Sequence, residues 1–371
     1  MWRKLVAGMR LKNLAVRPGV LRPRPRPATA LAELAFAPNP GNLRAFASPP
    51  QGKGKPLVVL LHGCGQTAAG YDAGTGWSQL AAERGFAVLA MEQKAANNPG
   101  TCFNWFQPDD IRRGEGEVES IAAAIRQMIA VYALDPARVF ITGLSAGGAM
   151  TAAMLACYPE LFAAGAIIAG LPYGAALTVM DALAAMRAAP LQSPREWGDA
   201  VRDASSHVGG WPRVSIWHGD SDHTVNIDNA KAGAAQWADV RGLALDAAHQ
   251  EKLGEAVRLN WGDALEVITV PGLSHGVPID AADLGQAAPF ILDVGLSSTR
   301  HIARFFGLLD TAQPKPRPRP APVAPAMEPA MEPALPEIET VLMPHEPPPL
   351  EKQIENVILR ALKAAGLLKK K

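Results

Sequence analysis

Three stretches of this chain carry side chains that could perform nucleophilic chemistry together. In Ile141-Thr142-Gly143-Leu144-Ser145-Ala146-Gly147-Gly148, a serine sits between two glycines where an apolar strand gives way to an Ala/Met/Leu helix over Ala149 to Cys157. A turn of this kind is very tight, so its flanking positions admit no side chains. It also holds the serine hydroxyl above the sheet, at the positive end of the following helix. A serine hydroxyl is a poor nucleophile at neutral pH unless an imidazole takes its proton, and that imidazole needs an acid to fix its tautomer. The expected order along such a chain is serine, acid, histidine.

The acid is expected in His218-Gly219-Asp220-Ser221-Asp222-His223, after a strand ending at Trp217. Two aspartates compete there. Asp222 lies further into the loop and is the expected acid, whereas Asp220 is placed to cap the turn. The histidine is expected to be His275, in Pro271-Gly272-Leu273-Ser274-His275-Gly276, whose glycines suit a loop that returns over the sheet. Of the eight histidines, His62, His218 and His223 precede or flank the acid, while His207, His249, His301 and His345 lie in polar, helical or proline-rich stretches. An oxyanion would need two donors. Ala146 supplies the amide after the nucleophile, and the second is expected from His62-Gly63-Cys64-Gly65-Gln66, with the Cys64 amide first and Gly65 next.

A scaffold must deliver these residues to one edge. Apolar runs at Pro56 to Leu61, Phe86 to Met91, Arg138 to Thr142, Gly165 to Ala169, Val214 to Trp217 and Leu265 to Val270 read as strands covered on both faces. Glu117 to Tyr132 reads as a helix with Val118, Ile121, Ile125, Met128 and Ile129 on one face. Such alternation predicts a doubly wound, mostly parallel α/β sheet, with reactive residues at the carboxyl ends of its strands. The expected organisation is a basic, Pro-rich segment over 1–39, a catalytic domain over 40–312, a Pro-rich linker over 313–350 and a basic amphipathic helix over 351–371.

Composition narrows the function classes. A formal net charge of +1 argues against a general nucleic-acid binder. Three cysteines, Cys64, Cys102 and Cys157, are too few for a disulfide scaffold and lack zinc-ligand spacing. No run of about 18 uncharged apolar residues is available to span a membrane. Arg10 and Lys12 interrupt the apolar N-terminus, so it is not expected to be a signal peptide. The expected location is cytoplasmic, with granule association and secretion left open.

Seven segments together resemble the poly(3-hydroxybutyrate) depolymerase family of esterases, related to the feruloyl and acetylxylan esterases. They are His62-Gly63-Cys64, Cys102-Phe103-Asn104-Trp105-Phe106, Asp135-Pro136 with Arg138-Val139, Gly143 to Met150, Tyr158-Pro159 with Phe162-Ala163, His218-Gly219 with Asp222, and Gly272 with His275. The resemblance spans about residues 40 to 310. It implies an α/β-hydrolase fold and carboxylester hydrolysis through an acyl-serine, with Ser145, Asp222 and His275 in the catalytic positions and no metal or organic cofactor. The implied substrate is a hydroxyalkanoate ester or oligomer, with the polymer as the longest member of that class. The alternative is a feruloyl or acetyl ester of plant origin. Trp105 stands either in the acyl pocket or in the core. Cys64 and Cys102 fall on neighbouring strand-end loops where a disulfide could form, and Cys157 is expected to be a small buried group. No fibronectin-like linker or separate β-rich binding domain is read in this sequence, so action on solid polymer outside the cell is not the expectation.

The tail from 351 to 371 places Ile354, Val357, Ile358, Ala361, Leu362 and Ala365 at steps of three and four, with lysines and Arg360 elsewhere. Such a helix suits docking on the catalytic domain, a partner, or peripheral contact with a polymer granule or membrane. A non-catalytic scaffold is the contrasting function class. An intact serine, acid and histidine gives a scaffold no physical advantage.

Overall fold

The computed structural model describes residues 31–309. The linker and the C-terminal amphipathic helix lie outside the described residues, as does most of the N-terminal segment. Within them, the strands are β1 (Ala32–Glu33), β2 (Arg44–Ser48), β3 (Leu57–Leu61), β4 (Ala87–Glu92), β5 (Val139–Leu144), β6 (Ala164–Ile168), β7 (Arg213–Gly219), β8 (His249–Leu253), β9 (Ala256–Trp261), β10 (Leu265–Val270), β11 (Val277–Ile279) and β12 (Ile291–Asp293). The helices are α1 (Ala68–Thr75), α2 (Trp77–Arg84), α3 (Gly116–Tyr132), α4 (Ala146–Cys157), α5 (Val179–Arg187), α6 (Pro194–Asp203), α7 (Asp228–Val240) and α8 (Ser298–Phe305).

Side chains of β3 alternate between two apolar clusters: Leu57, Val59 and Leu61 join one, Val58 and Leu60 the other. A strand with two apolar faces must be covered on both. Residues of α3, α4, α5, α6 and α7 build the first cluster, and residues of α1, α2 and α8 the second. Between them runs a sheet of order β1-β2-β4-β3-β5-β6-β7-β10-β9-β8. Its centre, from β4 to β10, is parallel. β1 and β2 continue it antiparallel at one edge, and β9 and β8 do so at the other.

The six apolar runs expected as strands correspond to β3, β4, β5, β6, β7 and β10. The sheet also begins earlier than residue 40, because Ala32 and Glu33 pair with Ala47 and Phe46. His249 lies on an exposed, polar edge strand.

Register sets the strand ends level. Leu144 aligns with Ile168, Ile168 with Trp217, and Trp217 with Ile268. Chain segments leaving β3, β5, β7 and β10 therefore start from one carboxyl edge, where ligands of open α/β sheets bind.

Candidate active site

Ser145 follows β5 at φ 56° and ψ −118°, a conformation that side-chain-bearing residues rarely adopt. Its backbone N–H donates to Ile168 O at 2.9 Å, which pins the turn to the neighbouring strand. Packing explains the glycines around it. A Cβ on Gly143 would lie 2.3 Å from Gly147 O, and one on Gly147 would lie 2.3 Å from Leu61 O. All twelve residues of α4 are buried, so the helix behind the serine is clamped on every side.

The acid and the imidazole come from two loops stitched together. Asp220 N–H donates to Val270 O, and Ser221 N–H to Leu273 O, each at 3.2 Å. The Asp220 carboxylate accepts from Gly272 N–H at 2.7 Å, a bond between loops rather than a cap of its own turn. Gly219 shows where the second loop goes: a Cβ there would lie 2.0 Å from Leu273 O, so the chain carrying His275 crosses directly over the end of β7. That crossing carries the imidazole back from β10 toward β5, a lateral span of about 14 Å at strand spacing.

Asp222 has a fully buried side chain. Its Oδ2 lies 2.7 Å from His275 Nδ1, and its Oδ1 accepts from Thr224 N–H at 2.8 Å and Val225 N–H at 2.9 Å. Burial opposes ionisation here, but hydrogen bonds from His218, His275 and the Val225 amide outweigh it and hold the carboxyl well below the usual carboxylate range. An ionised Asp222 can only accept, so the proton of the His275 pair sits on Nδ1 and Nε2 keeps its lone pair. The His275 ring also meets Phe290 edge-on at 5.9 Å.

Chain order excludes His218 as the base, yet it supports the acid. Its Nε2–H donates to Val225 O at 2.8 Å and stands 3.4 Å from Asp222 Oδ2. Chain order excludes His62 in the same way. It is 1% exposed and lies at the root of the loop carrying Cys64. The sequence signal for both was a histidine followed by glycine at a strand end.

That loop abuts the elbow, because a Cβ on Gly147 would also lie 2.5 Å from His62 O and one on Gly63 would lie 3.3 Å from Leu144 Cδ2. Most of its amides are already engaged. Gly63 N–H donates to Gln66 Oε1, Gly65 N–H to Gly100 O and Thr101 Oγ1, and Gln66 N–H to Gly63 O. The Gly65 amide is thus engaged within the loop, and among the described residues the Cys64 amide has no such partner. Ala146 opens α4, where first-turn amides find no acceptor within the helix.

Cys64 and Cys102 are joined by a disulfide, with Cα atoms 4.3 Å apart. Cys157 is free and buried, and burial pushes its thiol up to about 11. Trp105, three residues beyond Cys102, is 7% exposed and edge-on to Phe106 at 5.5 Å. Core packing accounts for most of its ring, in the same apolar cluster as Ala146 and Met150.

Comparison with known proteins bears on the family and the fold. Residues 46–260 match the family model for Esterase PHB depolymerase. The chain is 41% identical over 286 residues to poly(3-hydroxyalkanoate) depolymerase C of Paucimonas lemoignei, covering 74% of this chain and 69% of that one. It is 33% identical to an acetylxylan esterase of Coprinopsis cinerea, covering 68% of this chain and 70% of the relative. Among solved structures, acetyl xylan esterase from Aspergillus awamori superposes with a TM-score of 0.66 at 27% identity, covering 75% of this chain and 99% of that one. The chain belongs to the PHB depolymerase family of esterases and is a carboxylic ester hydrolase of the α/β-hydrolase fold.

Proposed function

We propose that the protein hydrolyses hydroxyalkanoate esters or their oligomers through an acyl-enzyme on Ser145. The observation that carries the mechanism is the Asp222–His275 pair, delivered to the same sheet edge as the elbow serine. His275 Nε2 takes the proton of Ser145 Oγ as it attacks the ester carbonyl, and the oxygen that becomes anionic is received by the Ala146 and Cys64 amides. Collapse expels the alcohol, which takes the proton from His275. Water then repeats the sequence on the acyl-serine, with His275 as base again. Asp222 holds the imidazole in its working tautomer and stabilises the imidazolium.

The named depolymerase relative supports the hydroxyalkanoate reading, and the acetylxylan esterase structure favours an acetyl ester as the second. Selectivity between them rests on pocket shape, which changes rates by factors of about 10 to 200 per methylene. Hydrolysis rates on p-nitrophenyl acyl esters, hydroxybutyrate oligomers, polymer film, acetylated xylan and methyl ferulate decide the matter. The oligomers are expected to give the highest kcat/KM, and a preference for acetylated xylan would replace the first reading by the second.

The sequence of residues 351–371 supports a further part of this reading, peripheral contact with a granule or membrane surface. Removing residues 313–371 is expected to lower co-sedimentation with hydroxybutyrate granules while leaving hydrolysis of a soluble ester nearly unchanged. Loss of soluble-ester activity on truncation would instead make the tail part of the catalytic body. The Cys64–Cys102 disulfide weighs toward an oxidising compartment and against the cytoplasmic location expected from the N-terminus.

A further inference from the structure

We infer that Phe290 is a specificity-determining residue that walls the alcohol side of the ester, so that the leaving group is selected by apolar contact with its ring. Ala288-Pro289-Phe290-Ile291 is a four-residue turn closed in both directions. Ile291 N–H donates to Ala288 O at 2.9 Å, and Ala288 N–H donates to Ile291 O at 3.1 Å. Proline suits the second position of such a turn, and a third position with positive φ ordinarily takes glycine or asparagine. Phe290 stands there at φ 62°. A bulky residue where the backbone favours none marks a place where local preference yields to another demand.

The turn is pinned to two loops of the site. Pro289 O accepts from Gln66 Nε2 at 3.1 Å, two residues beyond Cys64. Phe290 O accepts from Val277 N–H at 2.8 Å, two residues beyond His275, and a Cβ on Gly276 would lie 2.7 Å from the same oxygen. The backbone beneath the ring is therefore fixed between the Cys64 loop and the loop carrying the base. The ring meets His275 edge-on at 5.9 Å and packs on the second apolar cluster, yet it is only half-buried, which leaves part of its surface open. At the tetrahedral stage the reacting carbon carries Ser145 Oγ, the oxyanion, the acyl chain and the alcohol oxygen. Of the last two, only the alcohol oxygen must come within about 3 Å of His275 Nε2, because it takes the proton held there. A ring packed on His275 thus lies beside the first carbons of the alcohol. It offers apolar contact and no hydrogen bond, so it suits an alcohol that presents methyl or methylene groups rather than hydroxyls at that point.

The inference rests on ester hydrolysis at Ser145 with His275 as proton donor, and on no particular acyl group. Turnover of acetates by the wild type tests that reading, and ratios between substrates test the inference. Methyl and butyl acetate share an acyl group and differ in alcohol, whereas p-nitrophenyl acetate and p-nitrophenyl butyrate share an alcohol and differ in acyl group. For each, kcat/KM measured by acid release reports the steps up to departure of the alcohol. A methylene moved from water onto an apolar surface is worth about fourfold, so three methylenes covered on one side are worth about tenfold. Phe290→Ala is therefore expected to lower the butyl-to-methyl ratio about tenfold, with the butyrate-to-acetate ratio within about twofold of wild type. Phe290→Leu, which keeps an apolar side chain, is expected to retain most of the alcohol preference. A ring that merely propped the imidazole would slow every ester by the same factor and leave both ratios where they were. Three results would overturn the inference: an unchanged alcohol ratio, an equal fall in both ratios, or a change confined to the acyl ratio. If Phe290→Ala fails to fold, the inference stands or falls on Phe290→Gly, which removes the same ring and suits φ 62°. That variant must show the same loss of alcohol preference.

Discussion

Ser145→Ala is expected to reduce kcat for a soluble ester by about 10⁶-fold, the order seen when a triad serine is lost. The fold is expected to remain. Among the described residues, the elbow clamps one side chain at one point, and both flanking glycines are closed to any other. Ser145→Gly should be equally inactive yet more stable than Ser145→Ala, because glycine relieves a backbone strain of about 1–3 kcal/mol at φ 56°. Turnover and thermal melts of the two variants check both halves. An Ala variant retaining a few per cent of activity would remove Ser145 from its role.

Asp222→Asn is expected to cost about 10⁴-fold in kcat, because an amide cannot hold the imidazole in the tautomer that leaves Nε2 basic. Asp220→Asn is the matched control. Its side-chain oxygen can still accept from Gly272 N–H, so the loop bond survives and kcat should stay within about tenfold. Rates at saturating substrate, measured side by side, decide between the two aspartates. The same carboxyl carries an acid dependence. Its pKa is depressed in the folded state, so its contribution to stability is full above the ordinary carboxylate range near pH 4. That contribution fades as pH falls toward the lower folded value. Asp222→Asn should remove this part of the acid sensitivity.

The parallel strands were legible because burial on both faces writes an unbroken apolar run, as in Leu57 to Leu61. The edge strands were not. β8 reads His-Gln-Glu-Lys-Leu, largely exposed, and its strand character comes from pairing with β9 rather than from its own side chains. The elbow was legible in its glycines, since the contacts that forbid a Cβ are local and tight. Which loop amides are already engaged, as that of Gly65 is and that of Cys64 is not, shows only when each is followed to its acceptor. The contacts of His62 and His218 are with carbonyls one and seven residues away along the chain, and composition and order say nothing about which way a ring points.

The stitched carboxyl edge has a consequence for how the enzyme comes into being. Gln66 beside the Cys64 amide bonds to Pro289 O across 223 residues of chain, and Asp222 meets His275 across 53. Contacts so distant in sequence form slowly, because the entropy of closing long loops must be met before they stabilise anything. Helices and individual strands can form well before the edge is assembled. Turnover is then expected to return on refolding only after the strands beneath these loops have paired, and to be lost when the loop beyond β10 lets go.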